Sequence, residues 1–316
     1  MSHQTESQLQ ESLQFILQVR DRLRTFVKAH TDVSNRIIAQ NVGCSSTTVN
    51  LFINDNYKVS PEKLEEISHK FESYLNNFEQ AKKVAVSGHL KFVMTSTAQT
   101  IFNTCNYVIG YKKIGVVVGE PGCGKTIACE QFAVKNSTSI LLKITPTTTR
   151  SSLLGMLCNE LKLSFSPRQL DIPFQQIIKS LQSTNRLLMI DEGENLDSKC
   201  LEIIRRIQDF AGIPILICGT DRILYRLKGF RGELAQLYSR IGVKCEVGLL
   251  SQSDTKLILQ VNYPEALHYT EIFHSLSKRN GRLLEHLVDL CRLLTTTGKV
   301  RLSEDLIHTA ARSLLT

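Results

Sequence analysis

The sequence lacks the segments that mark membrane-spanning and secreted proteins. No run of about eighteen apolar residues occurs, which is the length that a transmembrane helix requires. The first residues, Met1 to Glu6, are polar and lack the charged-then-apolar order of a secretion signal. These absences predict a chain with no membrane partner.

Paired cysteines are missing as well. The nine cysteines are odd in number, and no two of them form a C-x-x-C pair. This pattern argues against both a disulfide framework and a zinc site. We interpret the cysteines as buried thiols in a reducing cytoplasm, which predicts a cytoplasmic location.

Positive charge, in contrast, is present in excess. A net charge of +8 over 316 residues is compatible with a polyanionic partner, and nucleic acid is the first candidate. Many basic proteins bind no nucleic acid, so charge alone does not decide the partner. The length suits two or three domains.

A phosphate-binding pattern stands in the first half of the chain. Consecutive residues match G-x-x-x-x-G-K-[ST], namely Gly119, Glu120, Pro121, Gly122, Cys123, Gly124, Lys125 and Thr126. A β-branched run precedes them and a helical pattern beginning at Ile127 follows, which is the context that the motif needs. Glycines let backbone N–H groups face phosphate oxygens, Lys125 would reach the β- and γ-phosphates, and Thr126 would bind Mg²⁺. The stretch predicts a nucleoside triphosphate site.

A second element of the predicted site is an apolar run, residues 187–190, that ends in Asp191 and Glu192. Asp191 would hold the Mg²⁺ shell through water, and Glu192 would polarise the attacking water as a general base. Thr220 ends a later apolar run and would help to place that water, although a plain strand-ending threonine fits equally well. Arg240 is a candidate finger for the γ-phosphate of a neighbouring subunit, and an ordinary surface arginine also fits.

The amino-terminal part contains a helix-turn-helix pattern. Ala39, Gly43, Val49 and Phe52 fall where such a unit needs a small residue, a turn glycine and two core residues. A helical hairpin with a glycine turn is the simpler alternative. The second helix would expose hydroxyls and amides but no arginine, which suits backbone contacts better than tight base recognition. The exposed residues are Thr47, Thr48, Asn50 and Asn54.

The patterns divide the chain into four segments. Residues 1–76 are expected to form the helix-turn-helix domain, and residues 77–90 a linker. The nucleotide-binding core is expected over residues 91–250, where apolar runs alternate with helical patterns. Residues 251–316 are helical throughout and predict a small lid.

The order of these motifs resembles the AAA+ ATPases, and more closely the family of phage Mu transposition protein B. The matching residues extend over almost the whole chain. They are Phe52 to Asp55, Phe92, Val93, Thr95, Thr97, Ile144 to Pro146, Asp191, Glu192, Leu201, Glu202, Arg205, Tyr238 to Ile241, Glu304 and Asp305.

This resemblance implies an α/β P-loop fold, with a parallel sheet covered by helices on both faces, a helical lid and an all-α helix-turn-helix domain. It implies a cytoplasmic protein, encoded by a bacterium, phage or mobile element, that binds ATP with Mg²⁺. Such a protein polymerises as a helical filament or ring on double-stranded DNA, recruits and activates a transposase, and disassembles on ATP hydrolysis. Arg240 would be the finger acting on a neighbouring subunit, and Thr220 would take the place of an asparagine that senses nucleotide.

The resemblance also places DNA on the inner wall of the assembly. The residues it implicates are Thr147, Thr148, Thr149, Arg150, Arg168 and Lys179, whose cations and hydroxyls suit phosphate contacts. An ordinary solvated loop is the alternative for each. One feature departs from the family: Leu284 stands three residues after Gly281, where lids usually carry a sensor arginine, and Arg282 lies on a different helix face.

Two other functions fit the same motifs. A helicase loader or initiator-like AAA+ protein shares the predicted core. A transcriptional regulator would use the helix-turn-helix for binding and the nucleotide as a switch, and it would bind one specific site as a dimer.

Overall fold

The structure is a computed structural model, and it describes residues 2–31, 33–85, 90–228 and 235–314. The chain divides into two compact units, Met1–His89 and Leu90–Thr316. None of the helices in the described ranges has the length and hydropathy needed to cross a membrane.

The first unit is all helical. Its helices are α1 (Ser2–Ala29), α2 (Asn35–Val42), α3 (Ser46–Ile53) and α4 (Pro61–Ala85). Gly43 adopts a left-handed conformation (φ 75°) between α2 and α3, and the Ser45 side chain accepts a hydrogen bond from the Thr48 N–H as the cap of α3. Ala39, Val49 and Phe52 are buried, as the pattern predicted. Helix α4 continues through residues 77–85, where the sequence suggested a linker, and residues 86–89 lie outside the described ranges.

The second unit contains the predicted α/β core. A parallel five-stranded sheet has the order β2-β3-β4-β1-β5. The strands are β1 (Ile114–Gly119), β2 (Ile140–Lys143), β3 (Leu188–Asp191), β4 (Ile215–Gly219) and β5 (Ile241–Val247). Because parallel strands end at the same edge, the residues that follow β1, β3 and β4 come together there. The prediction of a parallel α/β fold is confirmed.

Helices cover both faces of the sheet. Along β1, Val116 and Val118 point into one core, and Val117 points into the other. The Val117 core includes residues of α5 (Ser96–Tyr111) and α6 (Lys125–Lys135). The opposite core includes residues of α7 (Arg150–Glu160), α8 (Asp171–Leu181), α9 (Ser198–Ala211), α10 (Arg222–Lys228) and α11 (Ala235–Tyr238).

The lid has a hydrophobic core of its own. It contains α12 (Gln252–Asn262), α13 (Thr270–Leu276), α14 (Gly281–Gly298) and α15 (Glu304–Arg312), with a 3₁₀ helix, Pro264–Tyr269, between α12 and α13. Leu259, Phe273 and Leu284 are fully buried in this core. Leu284, which stands three residues after Gly281, is therefore a packing residue of the lid.

Candidate nucleotide site

The loop after β1 has the backbone that a phosphate site requires. Gly122 (φ 84°) and Gly124 (φ 95°) adopt left-handed conformations that glycine reaches without steric cost. Helix α6 begins at Lys125, directly after Gly124. The first N–H groups of a helix have no intrahelical acceptor and lie at the positive end of its dipole. The loop and helix together form an anion-binding geometry.

Lys125 is held over the same loop. Its Nζ donates to the carbonyl oxygens of Gly119 at 2.8 Å and Glu120 at 3.0 Å. Cys123 is buried beneath the loop, whereas the Glu120, Pro121 and Ile127 residues are exposed. Lys125 is thus positioned to exchange carbonyl partners for phosphate oxygens. Of the three exposed residues, only Glu120 and Ile127 have a backbone N–H that can donate to phosphate, because Pro121 has none.

The P-loop and the acidic strand are joined directly. The Thr126 hydroxyl donates to Asp191 Oδ2 at 2.7 Å, and Asp191 is only 3% exposed at the end of β3. A hydroxyl and a carboxylate are the oxygen ligands that Mg²⁺ prefers. The pair therefore fits the ion that a nucleoside triphosphate carries.

Two further buried polar atoms lie at this edge of the sheet. Thr220 Oγ1 and Glu194 Oε2 are buried and have no hydrogen-bond partner within the described ranges. Thr220 follows Gly219, whose Cα pairs with Val118 at the end of β1 and so beside the P-loop. A buried polar group without a partner is costly. A bound phosphate or water would satisfy the Thr220 hydroxyl, whereas the Glu194 carboxylate oxygen is an acceptor and would need a water or another donor. Glu194 was not predicted from the sequence, where it lies in the turn just after the acidic pair.

Glu192 has an unusual backbone and a specific partner. Its φ of 55° is left-handed, which is uncommon for a residue with a side chain and concentrates at functional sites. Asn195 Nδ2 donates to Glu192 Oε2 at 3.1 Å and to the Ile144 carbonyl oxygen at 3.4 Å. Asn195 was also not predicted from the sequence. Its position three residues after Glu192 could have indicated the contact, because residues i and i+3 lie on the same side of a 3₁₀ turn.

Residues 109–227, which contain these side chains, match the family model described as "AAA domain". The chain is 27% identical over 307 residues to "ATP-dependent target DNA activator B" of Escherichia phage Mu, covering 95% of this chain and 96% of that protein. It is 26% identical over 279 residues to "Mu-like prophage FluMu DNA transposition protein B" of Haemophilus influenzae, covering 86% and 92%. The predicted resemblance to transposition protein B is confirmed.

Solved structures show the fold alone. The ORC2 protein of Aeropyrum pernix, solved with ADPNP and ADP, has a TM-score of 0.55 at 14% identity, with 71% of this chain and 68% of that chain covered. Drosophila ORC bound to DNA has a TM-score of 0.51 at 14% identity, with 72% and 64% covered. At this identity the likeness supports the AAA architecture and does not discriminate among functions.

Arg240 directly precedes β5 and contacts α9. Because β5 is parallel to β1, Arg240 lies at the edge of the sheet opposite to the residues that follow β1, β3 and β4. Its Nε donates to Asp209, which also accepts from Arg205 Nη1 at 2.5 Å. Arg205 in turn makes hydrogen bonds of 2.6 and 2.8 Å to Glu202. These hydrogen bonds, with the one from Arg206, lower the pKa of Glu202 to about 2. The guanidinium of Arg240 therefore belongs to a surface network of alternating charge.

The residues implicated in DNA contact lie in two regions. Thr149 caps α7 through a reciprocal hydrogen-bond pair with Ser152, and the Thr148 hydroxyl accepts from the Thr145 N–H at 3.0 Å. Thr147, Arg150, Arg168 and Lys179 are exposed. In the other unit, Thr47 and Asn50 are exposed on α3, while Thr48 is half-buried and its hydroxyl bonds to Ser45 Oγ at 2.9 Å. The hydroxyls of Thr48, Thr148 and Thr149 are therefore engaged in local hydrogen bonds within a helix end or a turn.

Proposed function

We propose that this chain is an ATP-dependent target-DNA activator of transposition. The observation that carries the proposal is the Thr126–Asp191 hydrogen bond, which joins the P-loop to the acidic strand. It occurs in a chain that is similar over 95% of its length to a protein named for that activity. Neither the motif alone nor the likeness alone would support both the chemistry and the biological role.

Different residues of the site serve ATP binding and ATP hydrolysis. The N–H groups after Gly122 and the ammonium of Lys125 would bind the phosphates. Thr126 would ligate Mg²⁺, and Asp191 would hold the ion through water. The bound ion supplies neutralisation of phosphate charge. Glu192 accepts the proton of the attacking water, with its carboxylate oriented by the Asn195 amide.

A neighbouring copy would complete the site with Arg240. Side-chain exposure of 37% leaves the guanidinium accessible, and Asp209 limits the conformations available to it. An arginine that is oriented before assembly loses less conformational entropy when it meets a phosphate. This supports self-association into a filament or ring in which ATP lies between copies.

DNA binding is proposed to follow from assembly rather than from base recognition. Thr147, Arg150, Arg168 and Lys179 offer hydroxyls and cations that hydrogen-bond to phosphate without reading sequence. Thr148 and Thr149 would stabilise the turn that presents them, and Thr47, Thr48 and Asn50 would add backbone contacts. The assembly would then recruit and activate a transposase, and hydrolysis would release the DNA in the cytoplasm.

Electron microscopy of the protein with random-sequence double-stranded DNA tests the proposal. We expect filaments with ATP, and longer-lived filaments for Glu192→Gln, because binding persists while proton transfer stops. Rapid disassembly of that variant would show that another residue is the base. Absence of filaments at saturating wild-type protein would refute assembly on DNA. Binding of one specific site as a dimer without ATP would instead identify a helix-turn-helix regulator.

The same preparation separates the activator from a helicase loader. A transposase supplied by the same mobile element should show faster strand transfer into DNA that carries this protein and ATP. Unchanged strand transfer, with filaments present, would contradict the role in transposition and favour the loader.

A further inference from the structure

The first turn of α14 lies directly against the P-loop. Asn280 Nδ2 donates to the Pro121 carbonyl oxygen at 2.9 Å, and the Gly281 N–H donates to the Gly122 carbonyl oxygen at 2.8 Å. Asn280 Oδ1 simultaneously accepts from the backbone N–H groups of Arg282 at 3.0 Å and Leu283 at 3.3 Å. One amide side chain therefore caps the lid helix and holds the phosphate loop.

The P-loop and the start of α14 approach too closely for a side chain on either Gly122 or Gly281. A Cβ at Gly122 would lie 2.2 Å from Asn280 Oδ1, and a Cβ at Gly281 would lie 2.9 Å from the Gly122 carbonyl oxygen. Real Cβ atoms essentially never come within either of these distances. The loop glycine thus serves two purposes, because its φ of 84° shapes the phosphate cradle and its missing side chain admits Asn280.

The segment before Asn280 is fixed in place as well. Lys278 (φ 50°) and Arg279 (φ 63°) both adopt left-handed conformations, which cost free energy for residues with side chains. The Leu250 N–H donates to the Arg279 carbonyl oxygen at 2.9 Å, which ties this turn to the segment that leads into α12. The hydrogen bond to Leu250 holds this strained turn, which places Asn280 against the P-loop.

We propose that Asn280 is a positioning residue that couples the lid to bound nucleotide through the P-loop backbone. The coupling rests on the proposed binding of ATP. In a trans peptide the C=O and N–H point in opposite directions, so the Pro121 carbonyl that faces Asn280 belongs to the same unit as the Gly122 N–H. A hydrogen bond at the carbonyl orients that unit and polarises its N–H toward an anion.

This route acts through the loop backbone and not through a lid side chain that reaches the phosphate. Leu284 is fully buried in the lid core, so it offers no group to a phosphate. In this chain the lid reports on nucleotide through Asn280 and Gly281, whose partners are loop carbonyls. Nucleotide binding rigidifies the loop, and the loop holds the first turn of α14.

Asn280→Ser separates the two roles of the side chain. Serine is a good helix cap, so the α14 cap is kept, but it has no amide to reach the Pro121 carbonyl. Ser303→Ala is the matched control, because it removes a lid cap, that of α15, which has no contact with the P-loop. Circular dichroism establishes that both variants are folded.

The readouts are the dissociation constant of a fluorescent ADP and hydrogen exchange of the α14 amides with and without ADP. We expect Asn280→Ser to weaken ADP binding about three- to tenfold, the effect of one lost hydrogen bond, and to abolish the ADP-dependent protection of the first turn of α14. Ser303→Ala should bind as the wild type does. Equal affinity and equal protection in Asn280→Ser would overturn the coupling. A wild-type protein that binds no ADP would instead refute the proposed function itself.

Discussion

Asp254 joins the start of the lid to α5, and its substitution gives a quantitative test of the fold. Its Oδ1 accepts from the Ser96 N–H at 2.7 Å, and its Oδ2 accepts from Ser96 Oγ, Ser251 Oγ and the Ser251 N–H at 2.7, 2.6 and 3.0 Å. The residue is only 3% exposed. In Asp254→Asn an NH₂ group would replace one oxygen and face a donor, whichever way the amide is turned.

The expected cost combines a lost charge-assisted hydrogen bond with a buried donor left unpaired, about 3 kcal/mol in the free energy of unfolding. For a unit of this size, we expect the melting temperature to fall by about 6–12 °C. Asp305→Asn is the matched control, since that carboxylate is exposed in the first turn of α15 and its loss should change stability by less than about 0.5 kcal/mol.

The pH dependence supplies a second readout. Burial by itself would raise the pKa of Asp254, but hydrogen bonds from Ser251 and Ser96 outweigh it and lower the pKa. A carboxylate with a lowered pKa stabilises the fold above its unfolded pKa of about 3.9, and this stabilisation is lost as the pH falls through the folded pKa. The difference in unfolding free energy between wild type and Asp254→Asn should be constant from pH 5 to 8 and narrow below about pH 4. Melting temperatures of wild type and Asp254→Asn within about 2 °C of each other would refute the reasoning. A difference in unfolding free energy that stays constant below about pH 4 would refute it as well.

Two further predictions concern catalysis. Asn195→Ala removes the hydrogen bond that orients Glu192, so kcat for ATP hydrolysis should fall about fivefold while ADP affinity is unchanged, and equal losses in both would contradict a positioning role. Asp209→Ala removes an ion-pair partner that orients Arg240, so the ATPase rate should fall only at protein concentrations at which copies associate. A loss of the same size at all concentrations in Asp209→Ala would contradict action on a neighbouring subunit.

The sequence predicted those parts of the site that rest on local backbone geometry. The P-loop pattern requires left-handed glycines and a strand-to-helix turn, and Gly122 and Gly124 provide them. Asp191 was predictable because an acid at the end of a buried strand must lie at the edge of the sheet. The helical pair α2 and α3 was predictable from Gly43 and the buried positions around it.

The remaining site residues act across distances that no local pattern encodes. Asn280 contacts Pro121 across 159 residues of sequence, and Asp254 contacts Ser96 across 158. Each is a single polar residue at the start of a helix. In the sequence it cannot be distinguished from a helix cap that has no distant partner. Leu284, three residues after Gly281, is buried in the lid core, and the sequence alone did not show that it packs there.

The most direct test of the central claim is the binding of random-sequence double-stranded DNA measured against nucleotide state and salt. The account predicts tight binding with ATP, weak binding with ADP or without nucleotide, and a steep fall in affinity as salt rises, because phosphates are the partners. Lys125→Ala should lose the ATP-dependent part of this affinity. Undiminished DNA binding by Lys125→Ala, or equal binding by wild type with and without ATP, would contradict the claim that ATP holds this chain on DNA.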